Sequence, residues 1–277
     1  MLRPPCDGGT SDDRTPVRDM LGWLTGRRGD RRLPVAAPAP DARLYAVGDI
    51  HGRHDLLDAM VELIARDCAR FEDGRRPVTV FLGDYIDRGD HSREVIDRLV
   101  ALERTRDDVV FLRGNHEAAL LDFLEDPGRG GDWLGYGGLQ TLASYGIAPV
   151  GRAAGAADLE RTAKELGVAM GPHIGFLERT QSIFRSGDVI CAHAGIDPDR
   201  SPEDQGEGAL LWGRSAFLDD GGVPGLRVVH GHWAEDAPVV TARRICVDTG
   251  AYYSGRLTAV RLDAGEELLH VDALMLD

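Results

Sequence analysis

The sequence predicts an α/β fold built from two mixed β-sheets flanked by helices. From Leu44 onward, short apolar runs recur, and each closes on a cluster of Gly, Asp, His or Asn, the punctuation of strands that end in polar loops. The first run is followed by apolar residues at helical spacing. The later runs follow one another with fewer helical stretches between them, as expected for a second sheet. A chain of 277 residues is long enough to bury one substantial core.

Residues 1–40 mix Gly, Pro, Arg and Asp and cannot bury enough apolar surface to order themselves, so they read as a disordered tail and linker. Within it, Met20–Leu24 followed by Arg27, Arg28, Arg31 and Arg32 has the makings of a basic amphipathic element that docks weakly on a membrane surface or a partner. The catalytic domain is expected over 41–277. There, Leu44–Val47 precedes Gly48-Asp-Ile-His-Gly52, and Leu56, Leu57, Met60, Leu63 and Ile64 then mark a helix. Val78–Leu82 precedes Gly83-Asp-Tyr-Ile-Asp-Arg-Gly89, and Val109–Leu112 precedes Arg113-Gly-Asn-His-Glu117. Residues 117–187 are expected to form a helical cap-like insertion. The runs Val189–Ala192, Val228–Val229, Ile245–Val247 and Leu257–Val260 are assigned to the second sheet.

The net charge of −14 repels polyanions unless a local cationic site overcomes it, which argues against nucleic acid as a partner. Residues 1–40 carry seven Arg and five Asp, so the acidity belongs to the folded part. Cys6, Cys68, Cys191 and Cys246 have no paired spacing and fit neither a zinc ribbon nor a disulfide scaffold. No apolar run reaches the length of a bilayer span, and the N-terminus lacks the continuous apolar stretch expected of a secretory signal. The expected location is cytoplasmic.

Asp49 and His51 lie two positions apart at a strand end, so both side chains can face one ion. Asp84 follows Gly83 at the tip of the next strand. Asn115 offers an amide oxygen, and His193 and His232 add imidazoles just past later runs. Six ligands of mixed nitrogen and oxygen type suit Mn, Fe or Zn better than Ca. Any one of these histidines, taken singly, is more often a hydrogen-bonded structural residue. Five polar clusters at strand ends, in consistent order, reverse that weighting.

Gly48-Asp-x-His-Gly52, Gly83-Asp-x-x-Asp-Arg-Gly89, Gly114-Asn-His-Glu117, the His193 motif and Gly231-His232 resemble, in order and spacing, the calcineurin-like metallophosphoesterases. The resemblance covers roughly Tyr45–Asp263. It is nearest to the phosphoprotein phosphatase branch of bacterial and phage type, because Asp87-Arg88-Gly89 and Arg113–Glu117 match that branch's extended motifs. Ala234 stands where other branches carry a further histidine. The resemblance implies a four-layer α-β-β-α sandwich and two divalent metals, Mn first and Fe or Zn next. It implies that Asp49, His51 and Asp84 hold one metal while Asp84, Asn115, His193 and His232 hold the other. A hydroxide shared by the metals would attack in line. His116 would protonate the leaving oxygen with Asp87 behind it. Arg88, Arg113, Arg214 and Tyr252 are the candidates for binding phosphate or substrate. His230 would stand beside the site, although coordination by His230 in place of His232 stays open. Tyr136 departs from the Asn usual at its position.

The leading expectation is a phosphatase acting on phosphoserine or phosphothreonine, and also phosphotyrosine, in proteins. The runner-up is a pyrophosphohydrolase like the symmetrical diadenosine tetraphosphatases, whose ending Gly231-His-Trp-Ala234 resembles. A catalytically dead binding module would lack ligands, and all six are present. The expected partner is a phosphoprotein or small phosphorylated substrate, with no stable membrane insertion.

Overall fold

The computed structural model describes residues 36–151, 154–220 and 222–275. The amphipathic segment at residues 20–32 lies outside them.

Strand β1 (Ala42–Val47) is buried along its whole length because both faces are covered. Leu44 and Ala46 belong to a core shared with the second sheet, whereas Tyr45 and Val47 belong to a core shared with helices, as the two-residue strand period requires. Helix α1 (His54–Cys68) buries the predicted stripe of Leu56, Leu57, Met60 and Ile64. It leads to β2 (Arg76–Phe81), α2 (Ser92–Thr105), β3 (Val109–Phe111) and α3 (Asn115–Glu125). The pairs β1–β2 and β2–β3 are parallel.

A run of helices follows where the cap is expected: α4 (Gly130–Trp133), a π-helical turn (Leu134–Gly138), α5 (Leu139–Ser144), α6 (Ala156–Met170) and α7 (Pro172–Glu178). The second sheet contains β4 (Ile183–Ser186), β5 (Val189–Ala192), β6 (Arg227–His230), β7 (Val239–Val240) and β8 (Arg244–Cys246), in the order β4-β5-β6-β8-β7. Between β5 and β6 come α8 (Glu207–Trp212) and α9 (Ser215–Asp220). Val189 and Cys191 face the first sheet's core, and Ile190 and Ala192 pack with Leu210 of α8 and Phe217 of α9. The layers are thus helix, sheet, sheet, helix.

The last apolar run departs from its predicted sheet. After α10 (Ala251–Ser254), β9 (Arg256–Leu262) pairs antiparallel with β1, and β10 (Glu266–Asp272) pairs with β9, so the first sheet reads β10-β9-β1-β2-β3. The run has the length and apolar character of a buried strand, but those properties do not name the edge it joins. The free side of β1 does.

Residues 36–40 are joined to the β4–β5 hairpin: the Ala39 N–H donates to Ser186 Oγ at 3.1 Å and the Asp188 N–H to the Ala37 carbonyl at 2.9 Å. Cys68, Cys191 and Cys246 are free, and burial pushes the Cys191 and Cys246 thiols up to about 12. Among the described residues, no helix is long and apolar enough to cross a membrane.

Candidate metal centre

Two sets of parallel strands, β1–β2–β3 and β5–β6–β8, send their C-terminal loops to one place. The loop after β1 carries Asp49 and His51, and the loop after β2 carries Asp84, Asp87 and Arg88. The loop after β3 passes directly into the first turn of α3, which holds Asn115, His116 and Glu117. His193 follows β5, His232 follows β6 and Asp248 follows β8. Among the described residues, five other than glycine have left-handed backbone: His51, Asp84, Asp87, Arg88 and His232. All five lie in these loops, and each costs roughly 1–2 kcal/mol, a strain that such loops hold only under outside constraint.

Glu117 supplies much of that constraint. Its carboxylate accepts the N–H groups of Asp84 and Tyr85 at 2.8 Å, of Gly114 at 2.9 Å and of Ile86 at 3.3 Å, tying the β2 loop to the β3 loop. A side chain at Gly114 would strike Asp84 Oδ1, and one at Gly231 would strike Asp49 Oδ1. Glycine is therefore required where these backbones approach the carboxylates.

Asp84 lies at the middle of the cluster. Its Oδ1 is 3.4 Å from His193 Nε2 and accepts the His116 N–H at 3.2 Å, at the positive end of α3. Its Oδ2 is 3.4 Å from His51 Nε2 and 3.8 Å from His116 Nε2. Asn115 Oδ1 lies 2.9 Å from both His193 Nε2 and His232 Nδ1. Two groupings result, each with ligand atoms within 4.8 Å of one another: His51, Asp84 and His116, and Asp84, His193 and His232. Asp49 stands outside the first grouping. Its Oδ2 accepts the His232 N–H at 3.0 Å, and its Oδ1 is buried without a hydrogen-bond partner.

This donor set fits two cations. His51 Nδ1 donates to the Ile86 carbonyl at 2.8 Å and His193 Nδ1 to the Leu82 carbonyl at 3.0 Å, so each Nε2 turns a lone pair toward Asp84. Burial lowers His51 to about 3 and His232 to about 4, and lowers His193 as well. All three are neutral at neutral pH, the form that a cation requires. Burial, then the carboxylates of Asp248 and Asp84, push Asp49 well above the usual range, and a bound cation would relieve that crowding.

His116 has the opposite setting. Burial lowers it, but Asp84 and Asp87 outweigh burial and raise it above the ordinary imidazole value. Its Nδ1 donates to Asp87 Oδ2 at 2.7 Å. Asp87 is itself held by Trp133 Nε1 on Oδ2 at 3.0 Å and by the Thr141 hydroxyl on Oδ1 at 2.6 Å. Arg88 Nη2 donates to His116 Nε2 at 3.0 Å, and the Arg88 guanidinium lies 5.1 Å from the Tyr252 ring centre. The Tyr252 ring lies 5.5 Å from that of His51.

Arg113 and Arg214 are placed differently. Arg113 donates to Thr180 Oγ1 at 3.1 Å and to the Leu177 and Glu178 carbonyls at 3.3 and 2.8 Å, binding the C-terminal end of α7. Arg214 is more than half exposed and pairs with Asp197 at 3.4 Å. His230 packs its ring 5.1 Å from Phe217, donates from Nδ1 to the Gly231 carbonyl at 3.0 Å, and belongs to neither ligand grouping. The sequence reading assigned no role to Glu117, Asp248, Trp133, Thr141 or Trp212. The Glu of Gly114-Asn-His-Glu117 was the one local signal available.

The model of the calcineurin-like phosphoesterase family matches residues 42–260. The chain is 29% identical over 242 residues to the Bacillus subtilis (strain 168) bis(5′-nucleosyl)-tetraphosphatase PrpE [asymmetrical], covering 78% of this chain and 88% of that protein. It is 39% identical over 80 residues to the putative serine/threonine-protein phosphatase C06A1.3 of Caenorhabditis elegans, covering 28% of this chain and 20% of that protein. A crystal structure of a putative diadenosine tetraphosphatase shares the fold, with a TM-score of 0.54 at 22% identity over 84% of this chain and 95% of that one.

Proposed function

This chain belongs to the calcineurin-like phosphoesterase family, and we propose that it hydrolyses the phosphoanhydride chain of a dinucleoside tetraphosphate. The reach of the likeness carries this reading. A match spanning 78% of the chain includes residues 117–187 wherever it begins, and a cap over the site is the part that selects substrate. The 80-residue likeness to a protein phosphatase covers too little of the chain to include both the metal loops and the full cap. The runner-up of the sequence reading therefore takes first place, with the unsymmetrical products that the relative's name describes.

Two divalent cations, Mn first, would be held by Asp49, His51 and Asp84 and by Asp84, Asn115, His193 and His232, supplying an activated water and neutralising phosphate charge. The chain's own groups do the rest. Arg88 leaves His116 Nε2 to take a phosphate oxygen, for which a guanidinium fork is suited. That frees Nε2 to carry a proton to the leaving oxygen, while Asp87, locked by Trp133 and Thr141, orients the ring and stabilises its cation. Arg113 and Arg214 reach the phosphate only by giving up their present partners.

The second reading, removal of phosphate from phosphoserine or phosphothreonine in proteins, is favoured by the 39% identity to the nematode phosphatase. Metal-stripped protein supplied with Mn²⁺ separates the two when given diadenosine tetraphosphate and a phosphoserine peptide, with products resolved by chromatography. ATP with AMP supports the first reading, and paired ADP moves the cut to the middle of the chain. Inorganic phosphate from the peptide without turnover of the dinucleotide rejects the first reading in favour of the second.

A further inference from the structure

We propose that Tyr136 and Trp212 form a stacking subsite for one nucleobase of the substrate, at the mouth of a groove between the cap and α8. The subsite rests on the dinucleotide reading above.

Tyr136 is 36% exposed and Trp212 43%, and their rings lie 5.7 Å apart, tilted by 59°. They bridge the two sides of the centre: Tyr136 is 5.9 Å from the His116 ring, and Trp212 is 6.4 Å from the His232 ring. Two large rings left half-open beside reacting groups are suited to a flat ligand, because every base offers a face for stacking. The tilt lets a base lie on one ring and meet the edge of the other.

Their supports are fixed. Tyr136 belongs to the turn Leu134–Gly138, where the positive φ of Gly137 kinks the chain between α4 and α5. That turn docks on the catalytic loop, the Arg88 N–H donating to the Gly137 carbonyl at 3.3 Å. Trp212 closes α8. Both rings line a groove of about 1140 Å³ whose walls include Asp122, Glu125, Asp132 and Glu207 together with Arg113 and Arg129. It is large enough for a nucleoside. Arg113 is held by the end of α7 and Arg129 pairs with Asp122, so the remaining carboxylates disfavour a phosphate chain and accept hydrogen bonds from an exocyclic amine, and the groove takes the base while the phosphates stay at the centre. Because Tyr136 borders His116, the base belongs to the leaving portion of the substrate.

The test uses full-length protein loaded with Mn²⁺. Tyr136→Ala and Trp212→Ala should each raise KM for diadenosine tetraphosphate about tenfold, the size expected from losing one stack. The Ki of inorganic tripolyphosphate, which has no base, should change by less than about threefold by the same reasoning. Tyr136→Phe should restore KM. AMP should quench tryptophan fluorescence in the parent protein, and Trp212→Phe should lose that quenching. Unchanged KM in both alanine variants, with a parent that turns the dinucleotide over, overturns the subsite and leaves the function standing. A parent that does not turn the dinucleotide over but whose AMP quenching depends on Trp212 sinks the function and supports the subsite as a nucleotide site. Neither turnover nor quenching overturns both.

Discussion

His51, His193 and His116 are buried and His232 half-buried within a few ångströms of Asp84, yet their surroundings divide them. In the first three, burial lowers the affinity for a proton and leaves a lone pair. In His116 the carboxylates of Asp84 and Asp87 outweigh burial and favour the protonated ring. An acid placed this way should matter most when the leaving oxygen is a poor one. His116→Asn is expected to slow hydrolysis of an alkyl phosphate roughly 10²–10⁴-fold, with a much smaller loss on p-nitrophenyl phosphate. Steady-state rates on the two esters decide it, and equal losses would reject the role. The His116–Asp87 pair was legible because both residues sit in contiguous motifs. What fixes Asp87 was not: Trp133 and Thr141 stand 46 and 54 residues away, and they meet it only once the cap has folded onto the β2 loop.

The loops after β2 and β3 are one unit, because a single carboxylate at the start of α3 holds four of their N–H groups. Glu117→Ala would leave those donors buried without partners and release the left-handed backbone of Asp84. A loss of about 3 kcal/mol or more is expected, read as a lower urea midpoint. An unchanged midpoint would mean that the loops hold their shape unaided. Strand and helix positions were legible from apolar runs and spacing, and the metal loops from the residues that end each run. The pairing of β9 with β1 was not legible, since a run buried on both faces gives the same pattern in either sheet. The Tyr136–Trp212 contact was hidden for a related reason. It joins a helical turn of the cap to α8 across the centre, and no local period records such a meeting.

At the scale of the whole molecule, the interior runs in layers, with Leu44, Val80 and Val260 of one sheet in the same core as Val189, Val229 and Ile245 of the other. That apolar seam holds the sheets face to face at about 25 cal/mol for each Å² removed from water. On the proposed reading the choice of substrate depends on the cap and on α8, whose relative placement no short motif encodes. The proposed ligands are divided by layer: Asp49, His51, Asp84 and Asn115 come from loops of the first sheet, and His193 and His232 from loops of the second. Any cation shared between Asp84 and His193 is consequently a clasp across the seam, and the folded state becomes a partner in a binding equilibrium. Its melting temperature should climb with free Mn²⁺ and drop in a chelator, the added stability approaching about 2.7 kcal/mol when the ion stands at a hundred times its dissociation constant. Calorimetry across a metal titration would read the clasp directly, and a flat response would mean that the sheets hold together with no help from the ion.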